Sequence, residues 1–164
     1  MRLKEITDFL ETLAPLAYQE EYDNSGLLVG SSDEDVKSAL ISLDCTEVVL
    51  DEAIRKGCNL IISHHPIVFK GLKKFNGKNY VERVVMKAIK HNIALYAIHT
   101  NYDNVLDGVN KALADRLGLK NLKPLAPKSG ILKKLVTFCP SAQATEVRQA
   151  LFTAGAGNIG NYSE

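Results

Sequence analysis

The sequence predicts an α/β protein built on a mostly parallel sheet with helices on both faces. Three observations carry that expectation. Short apolar runs at Leu60-Ile61-Ile62 and from Ile93 to Ile98 have the continuous hydrophobicity of strands buried on both faces. Helical stretches alternate with the strands, the order expected of βαβ units with right-handed crossovers. The 164 residues, 46% of them hydrophobic, suffice for about one domain with a real core.

From the N-terminus, Leu3, Ile6, Phe9, Leu10 and Leu13 recur at helical spacing and predict an amphipathic helix. Ala14 to Gly30 reads as irregular, with Pro15 and the turn-prone Asp23-Asn24-Ser25-Gly26. Val36 to Leu43 alternates loosely and predicts a strand ending at Asp44. Thr46 is suited to cap a helix that runs to Lys56 and stops at Gly57. Asn59 to Ser63 predicts a buried strand, Tyr80 to His91 a helix, Ile93 to Ile98 a strand, and Asp107 opens a helix ending near Gly118. The expected first domain is 1–125. Pro124, Pro127, Ser129 and Gly130 mark a linker at 126–130. Residues 131–164 then begin a second α/β module, with a strand at Lys134 to Cys139 and a helix at Glu146 to Phe152.

Composition narrows the function. Twenty Lys and Arg against nineteen Asp and Glu leave a net charge of +1, which offers no bulk field for gripping nucleic acid or an anionic membrane. There is no apolar run long enough to span a bilayer, and the charged N-terminus is unlike a secretory signal. Cys45, Cys58 and Cys139 are odd in number and lack CxxC spacing. They read as reduced, mostly buried thiols of a cytoplasmic protein.

In open parallel sheets, ligands collect beyond the carboxyl ends of the strands. Three such ends carry unusual residues: Ser42-Leu43-Asp44-Cys45, Ile62-Ser63-His64-His65-Pro66, and Ala97-Ile98-His99-Thr100-Asn101-Tyr102-Asp103. Successive strand residues point to opposite faces, so His64 and His65 are expected to feed two ions a few ångströms apart rather than one. Asp103 adds a carboxylate able to bridge two cations. Such His and Asp ligands suit Zn, Mn, Fe or Co without choosing among them. The His64-His65 pair alone fits a core imidazole followed by a solvated loop residue better than a pair of ligands. The His99-x3-Asp103 spacing at a second strand end favours metal ligation. His91 falls at a helix C-terminus, where its charge suits the dipole, and carries no functional assignment.

Other patterns weigh less. Gly155-Ala156-Gly157-Asn158-Ile159-Gly160 matches G-x-G-x-x-G but follows a helix instead of a strand, and so reads as a helix stop and turn. Gly71 to Lys78 is one residue too long for a P-loop, and Asn79 replaces the required Ser or Thr. No G-x-S-x-G elbow occurs. Lys70, Lys73, Lys74 and Lys78, with Phe69 and Phe75 among them, form a basic loop after the histidines. Such runs are usually solvated surface, and here Lys70, Lys73 and Lys74 are candidates for holding a substrate phosphate.

Taken in order, Tyr22-Asp23-Asn24-Ser25-Gly26-Leu27-Leu28-Val29-Gly30, Ser63-His64-His65-Pro66 and His99-Thr100-Asn101-Tyr102-Asp103 resemble the signature of the Nif-three-like proteins, also called GTP cyclohydrolase 1 type 2 homologs. The resemblance covers about residues 1–125. It implies a dinuclear centre of two divalent metal ions and ring-shaped homo-oligomers, often hexamers. His64, His65 and Asp103 match metal ligands, and His99 matches a position at the edge of the site, as a ligand or as support for one. Family members complete the centre with a His and a Glu from a C-terminal segment, whereas the last histidine here is His99. The tail resembles the start of the CutA-like or PII-like module that longer members insert mid-chain. The sequence therefore looks like the front part of a longer protein.

The resemblance and residues together suggest a metal-dependent hydrolase acting on a small anionic substrate, GTP or another phosphorylated nucleotide. The alternative is a non-catalytic metal-binding regulatory or interaction protein. Nucleic-acid binding ranks third because of the near-neutral charge.

Overall fold

The structure, a computed structural model, describes residues 1–127 and 133–157. The chain divides into two compact units, Met1–Leu122 and Lys123–Glu164. Residues 128–130 of the expected linker, the first two residues of the expected second module, and the end of the Gly155–Gly160 pattern lie outside the described residues.

The first unit is a mixed α/β sandwich. Helix α1 (Leu3–Leu13) precedes strand β1 (Gly26–Val29) and strand β2 (Ala39–Ser42). Helix α2 (Glu47–Lys56), strand β3 (Leu60–Ser63), helix α3 (Tyr80–Lys90) and strand β4 (Ala94–Ala97) follow. A single turn α4 (Thr100–Asp103) and helix α5 (Val109–Arg116) complete it. The sheet order is β1-β4-β3-β2. Strands β2, β3 and β4 are parallel, with Ser42 opposite Ser63 and Ser63 opposite Ala97.

Strand β1 departs from the expectation of irregular chain between Ala14 and Gly30. It pairs antiparallel with β4, Gly26 opposite Ala97, and its register shifts between Leu27 and Val29. Turn residues lead directly into a four-residue edge strand, too short to show a period.

The pleat sorts the core into two layers. Leu60, Ala94 and Tyr96 share one face with Leu3 of α1, and Ile6 and Leu10 pack against them. Ile61 and Leu95 share the other face with Leu50 and Ala53 of α2 and Val84 and Ala88 of α3. Only part of the α1 stripe is used, since Phe9 is 61% and Leu13 49% exposed. Fully burying a Leu or Ile stabilises by about 1.5–3 kcal/mol, so these central positions supply much of the folding energy.

Helix boundaries follow local chemistry. Thr46 Oγ1 accepts the Val49 N–H at 3.3 Å, and Gly57 takes the left-handed conformation (φ 69°) after Lys56. Asn79 Oδ1 accepts the Glu82 N–H at 2.9 Å and starts α3. Arg83 grips Glu47 through Nε and Nη2, both at 3.0 Å, and Lys87 pairs with Asp51, so two ion pairs link α2 and α3.

In the second unit, helix α6 (Ala144–Thr153) matches the expected helix, and Gly155 and Gly157 turn with positive φ behind it. The strand expected at Lys134–Cys139 does not form, and residues 133–140 carry no regular structure. A strand needs a neighbour for its hydrogen bonds, and none exists among the described residues of this unit. These residues therefore do not display the CutA-like or PII-like start. No described helix is long and apolar enough to cross a membrane.

Gly30 ends β1 at φ 117°, and a Cβ added there would lie 2.8 Å from the Ala94 Cβ. Gly30→Ala is expected to destabilise the protein by about 1–3 kcal/mol in urea unfolding, from overpacking and a strained backbone. Unchanged stability would contradict the close approach of this turn to β4.

Candidate metal centre

Parallel pairing puts the carboxyl ends of β3 and β4 side by side. The pairing runs on past the strands, with the Ile98 N–H donating to Ser63 O at 2.9 Å, and the His64 and His65 N–H groups donating to Ser42 O (3.2 Å) and Leu43 O (3.0 Å). Ser63 Oγ donates to His65 O at 2.9 Å across a bend. Beyond β4 the chain turns at His99 into α4. Asn101 is fully buried there, accepts the His99 N–H at 2.9 Å and donates to Ala14 O at 2.7 Å.

These constraints bring His64, His65 and His99 together, with one ligand atom of each within 4.8 Å of the others. Ring centroids are 5.0 Å apart for His64 and His65, 5.1 Å for His64 and His99, and 5.5 Å for His65 and His99. The pleat ends at Ser63, and past it a bend leaves His64 and His65 close enough to join His99 in one group that could hold an ion. His99, assigned to the edge of the site, is a full member of the cluster. Asp103 lies one helical turn along α4, its Oδ2 3.8 Å from His64 Nε2.

Each ring is oriented through Nδ1. His64 Nδ1 lies 2.9 Å from Ile98 O, His65 Nδ1 2.7 Å from Asp44 Oδ1, and His99 Nδ1 2.8 Å from Asp23 Oδ1. A carbonyl or carboxylate oxygen only accepts, so each Nδ1 carries a proton, and in the neutral ring that leaves the Nε2 lone pair for a ligand. Metal-binding imidazoles are held this way, and the outer partner also raises ligand basicity. A cation bonded at about 2.1 Å holds its donors roughly 3.4 Å apart, so modest ring rotations close this triangle on one ion. The donor set therefore fits a divalent metal.

Asp23 is the most constrained carboxylate. Burial pushes its carboxyl up, but hydrogen bonds from Thr100, His99, the Asn24 N–H and Ser25 outweigh it and hold the group down at about 2. Its oxygens accept from Asn24 N (2.7 Å), Ser25 Oγ (3.0 Å) and Thr100 N (3.0 Å), as well as from the Thr100 hydroxyl. These hydrogen bonds thus favour the anionic form of Asp23 behind His99. Neither Asp23 nor Asp44 was singled out as a ligand partner by sequence reasoning. Asp44 ends β2, and Asp23 lies in the first signature motif, but a contact across 21 or 76 residues leaves no spacing signal.

Lys70, Lys73 and Lys74 are all exposed on the loop after the histidines, and none forms an ion pair among the described residues.

The fold is an α/β protein with an imidazole cluster at its parallel strand ends that could hold a metal ion, and comparison places it in a family. The chain belongs to the Duf34/NIF3 (NGG1p interacting factor 3) family, whose profile matches residues 1–164. It is 43% identical over 159 residues to a Halalkalibacterium halodurans protein named GTP cyclohydrolase 1 type 2 homolog, covering 96% of this chain and 43% of that protein. A Bacillus subtilis protein of the same name is 42% identical over 161 residues, with 98% and 43% covered. The crystal structure of a Bacillus cereus protein related to NIF3 superposes with a TM-score of 0.73 at 41% identity, covering 99% of this chain and 45% of that one. The chain thus spans less than half the length of the curated relatives it matches.

Asp44→Asn is expected to weaken zinc binding by roughly 10–100-fold, because His65 loses its anionic partner. Thermal stability should change little, as the Asp44 side chain is 55% exposed. Asp23→Asn should weaken zinc binding similarly and also lower the melting temperature, since it weakens a buried hydrogen-bond network. Zinc titration and thermal melts separate the two, and wild-type zinc affinity in Asp44→Asn would contradict its orienting role.

Proposed function

We propose that this chain carries the imidazole part of the metal centre of a metal-dependent hydrolase acting on a phosphorylated nucleotide, GTP included. The observation that carries the reading is the set of three imidazoles with every Nδ1 tied to an oxygen and one ligand atom of each within 4.8 Å of the others. Relatives named GTP cyclohydrolase 1 type 2 homolog support the substrate class.

In this reading His64, His65 and His99 hold one divalent cation, and Asp103 reaches from beside His64 toward a second. A bound divalent cation supplies Lewis acidity and makes water acidic near neutral pH. The protein supplies the rest. Asp23 and Asp44 keep their imidazoles as fixed-tautomer donors, and α4 holds Asp103 at the same mouth. Lys70, Lys73 and Lys74 offer positive charge to substrate phosphates. The donor chemistry admits Zn, Mn, Fe or Co. Assembly into a homo-oligomer, a hexamer in its ring form, and a cytoplasmic location belong to the same proposal.

The family description names an interaction factor, which favours as second reading a metal-binding regulatory or interaction protein. One experiment divides the two. Wild type and Asp103→Ala are compared for bound metal, melting temperature and turnover of GTP. The hydrolase reading predicts metal-dependent turnover in wild type. It predicts lower metal content and loss of turnover in Asp103→Ala, with a small change in melting temperature. Equal turnover at equal metal content would remove Asp103 from the chemistry. Metal bound by wild type without turnover in either protein would favour the regulatory reading.

A further inference from the structure

Two aromatic rings stand at the mouth of the imidazole cluster, and neither belongs to the metal-holding set. The Phe69 ring meets the His99 ring edge-on at a centroid distance of 6.4 Å. The Tyr22 ring lies 6.2 Å from the Phe69 ring, tilted by 53°. Both are open to solvent, Phe69 at 44% and Tyr22 at 66% exposure. A lone exposed aromatic is ordinary, but two in contact beside a candidate metal centre mark a binding surface.

The interactions that build the centre also hold this surface. Tyr22 directly precedes Asp23, whose carboxylate is tied to His99 and Thr100. Phe69 follows Ile67, which is buried in the core beneath the sheet, and Val68, whose carbonyl accepts from Asn24 Nδ2 at 2.5 Å. The two loops are thus pinned together through Asn24 and Val68. A ligand group at the imidazole centre comes against Phe69, and Lys70 is the next residue along the loop.

We infer that Tyr22 and Phe69 form an aromatic subsite that takes the planar ring of a nucleobase beside the imidazole centre, the phosphates of the same ligand lying toward the lysine loop. The inference rests on the hydrolase reading and deepens it by naming the residues that select a base. Bases stack on aromatic side chains with little regard to sequence, since each has a π-face. The subsite therefore distinguishes nucleotides from bare polyphosphates more strongly than it distinguishes guanine from adenine.

The test is calorimetric titration of the zinc-loaded protein with GTP, ATP and inorganic triphosphate. Stacking on alanine-scanned aromatics corresponds to roughly 5–150-fold in affinity, so GTP and ATP should each bind about tenfold or more tighter than triphosphate. Phe69→Leu and Tyr22→Leu keep an apolar side chain and should remove most of that advantage. Triphosphate affinity and zinc affinity should stay at wild-type values in both. Triphosphate binding as tightly as GTP and ATP, no binding of any of the three, or an undiminished base preference in both variants would overturn the subsite. Zinc titration of the same samples keeps the two readings apart. Failure of wild type to bind zinc would sink the hydrolase reading, and the subsite would then stand or fall on base preference in the zinc-free protein.

Discussion

The parallel pairing of β3 with β4 is the constraint on which the site depends. Ser63 opposite Ala97 sets two strand ends level, so that His64 and His65 from one and His99 from the other leave the sheet at one place. A one-residue slip would reverse the faces of Ile61 and Leu95, which are buried against α2 and α3, and of Leu60 and Tyr96, which are buried against α1. Burial on both faces therefore locks the register, and the register locks the imidazole cluster. The core and the site are coupled through the sheet, although the cluster itself lies where regular pairing stops.

Electrostatics does the rest of the positioning. Three imidazoles within 4.8 Å of one another would repel if all were protonated, and three carboxylates, Asp23, Asp44 and Asp103, surround them. Asp23 is buried and ionised behind His99, with Thr100 and Ser25 satisfying its remaining lone pairs. An uncompensated buried anion would be costly, and here it is compensated by donors from its own turn and from α4. The same donors fix the backbone of the loop that presents Tyr22, so one carboxylate organises both the ligand field and the rim.

Much of this was legible in the residues. Leu60-Ile61-Ile62 and Ile93 to Ile98 read as buried strands because both faces are covered, which removes alternation and leaves a continuous apolar run. Thr46 and Gly57 bound α2 by capping chemistry that is local and hence readable. Strand β1 was hidden because Gly26–Val29 is an edge element whose existence depends on a partner 66 to 71 residues later. Lys134–Cys139 shows the converse, apolar residues with strand-like composition and no partner among the described residues. At the site, residue types and strand-end positions pointed to His64, His65, His99 and Asp103. The pleat separates the faces of successive strand residues, and only the bend past Ser63, which no spacing announces, brings His64 and His65 into one group with His99. Asp44 and Asp23 act through contacts between distant segments, and composition and spacing carry no trace of such contacts.

The central claim is that this fold prepares three imidazoles, with protonated Nδ1 and free Nε2, to receive one cation. Nitrogen-15 NMR of the histidine rings at mildly alkaline pH tests it most directly, because the tautomer is read from the ring itself. The account predicts the Nδ1–H tautomer for His64, His65 and His99 in the metal-free protein, and on addition of one equivalent of zinc a shift of all three Nε2 resonances together. Nε2–H tautomers, or a zinc shift confined to a single ring, would contradict it.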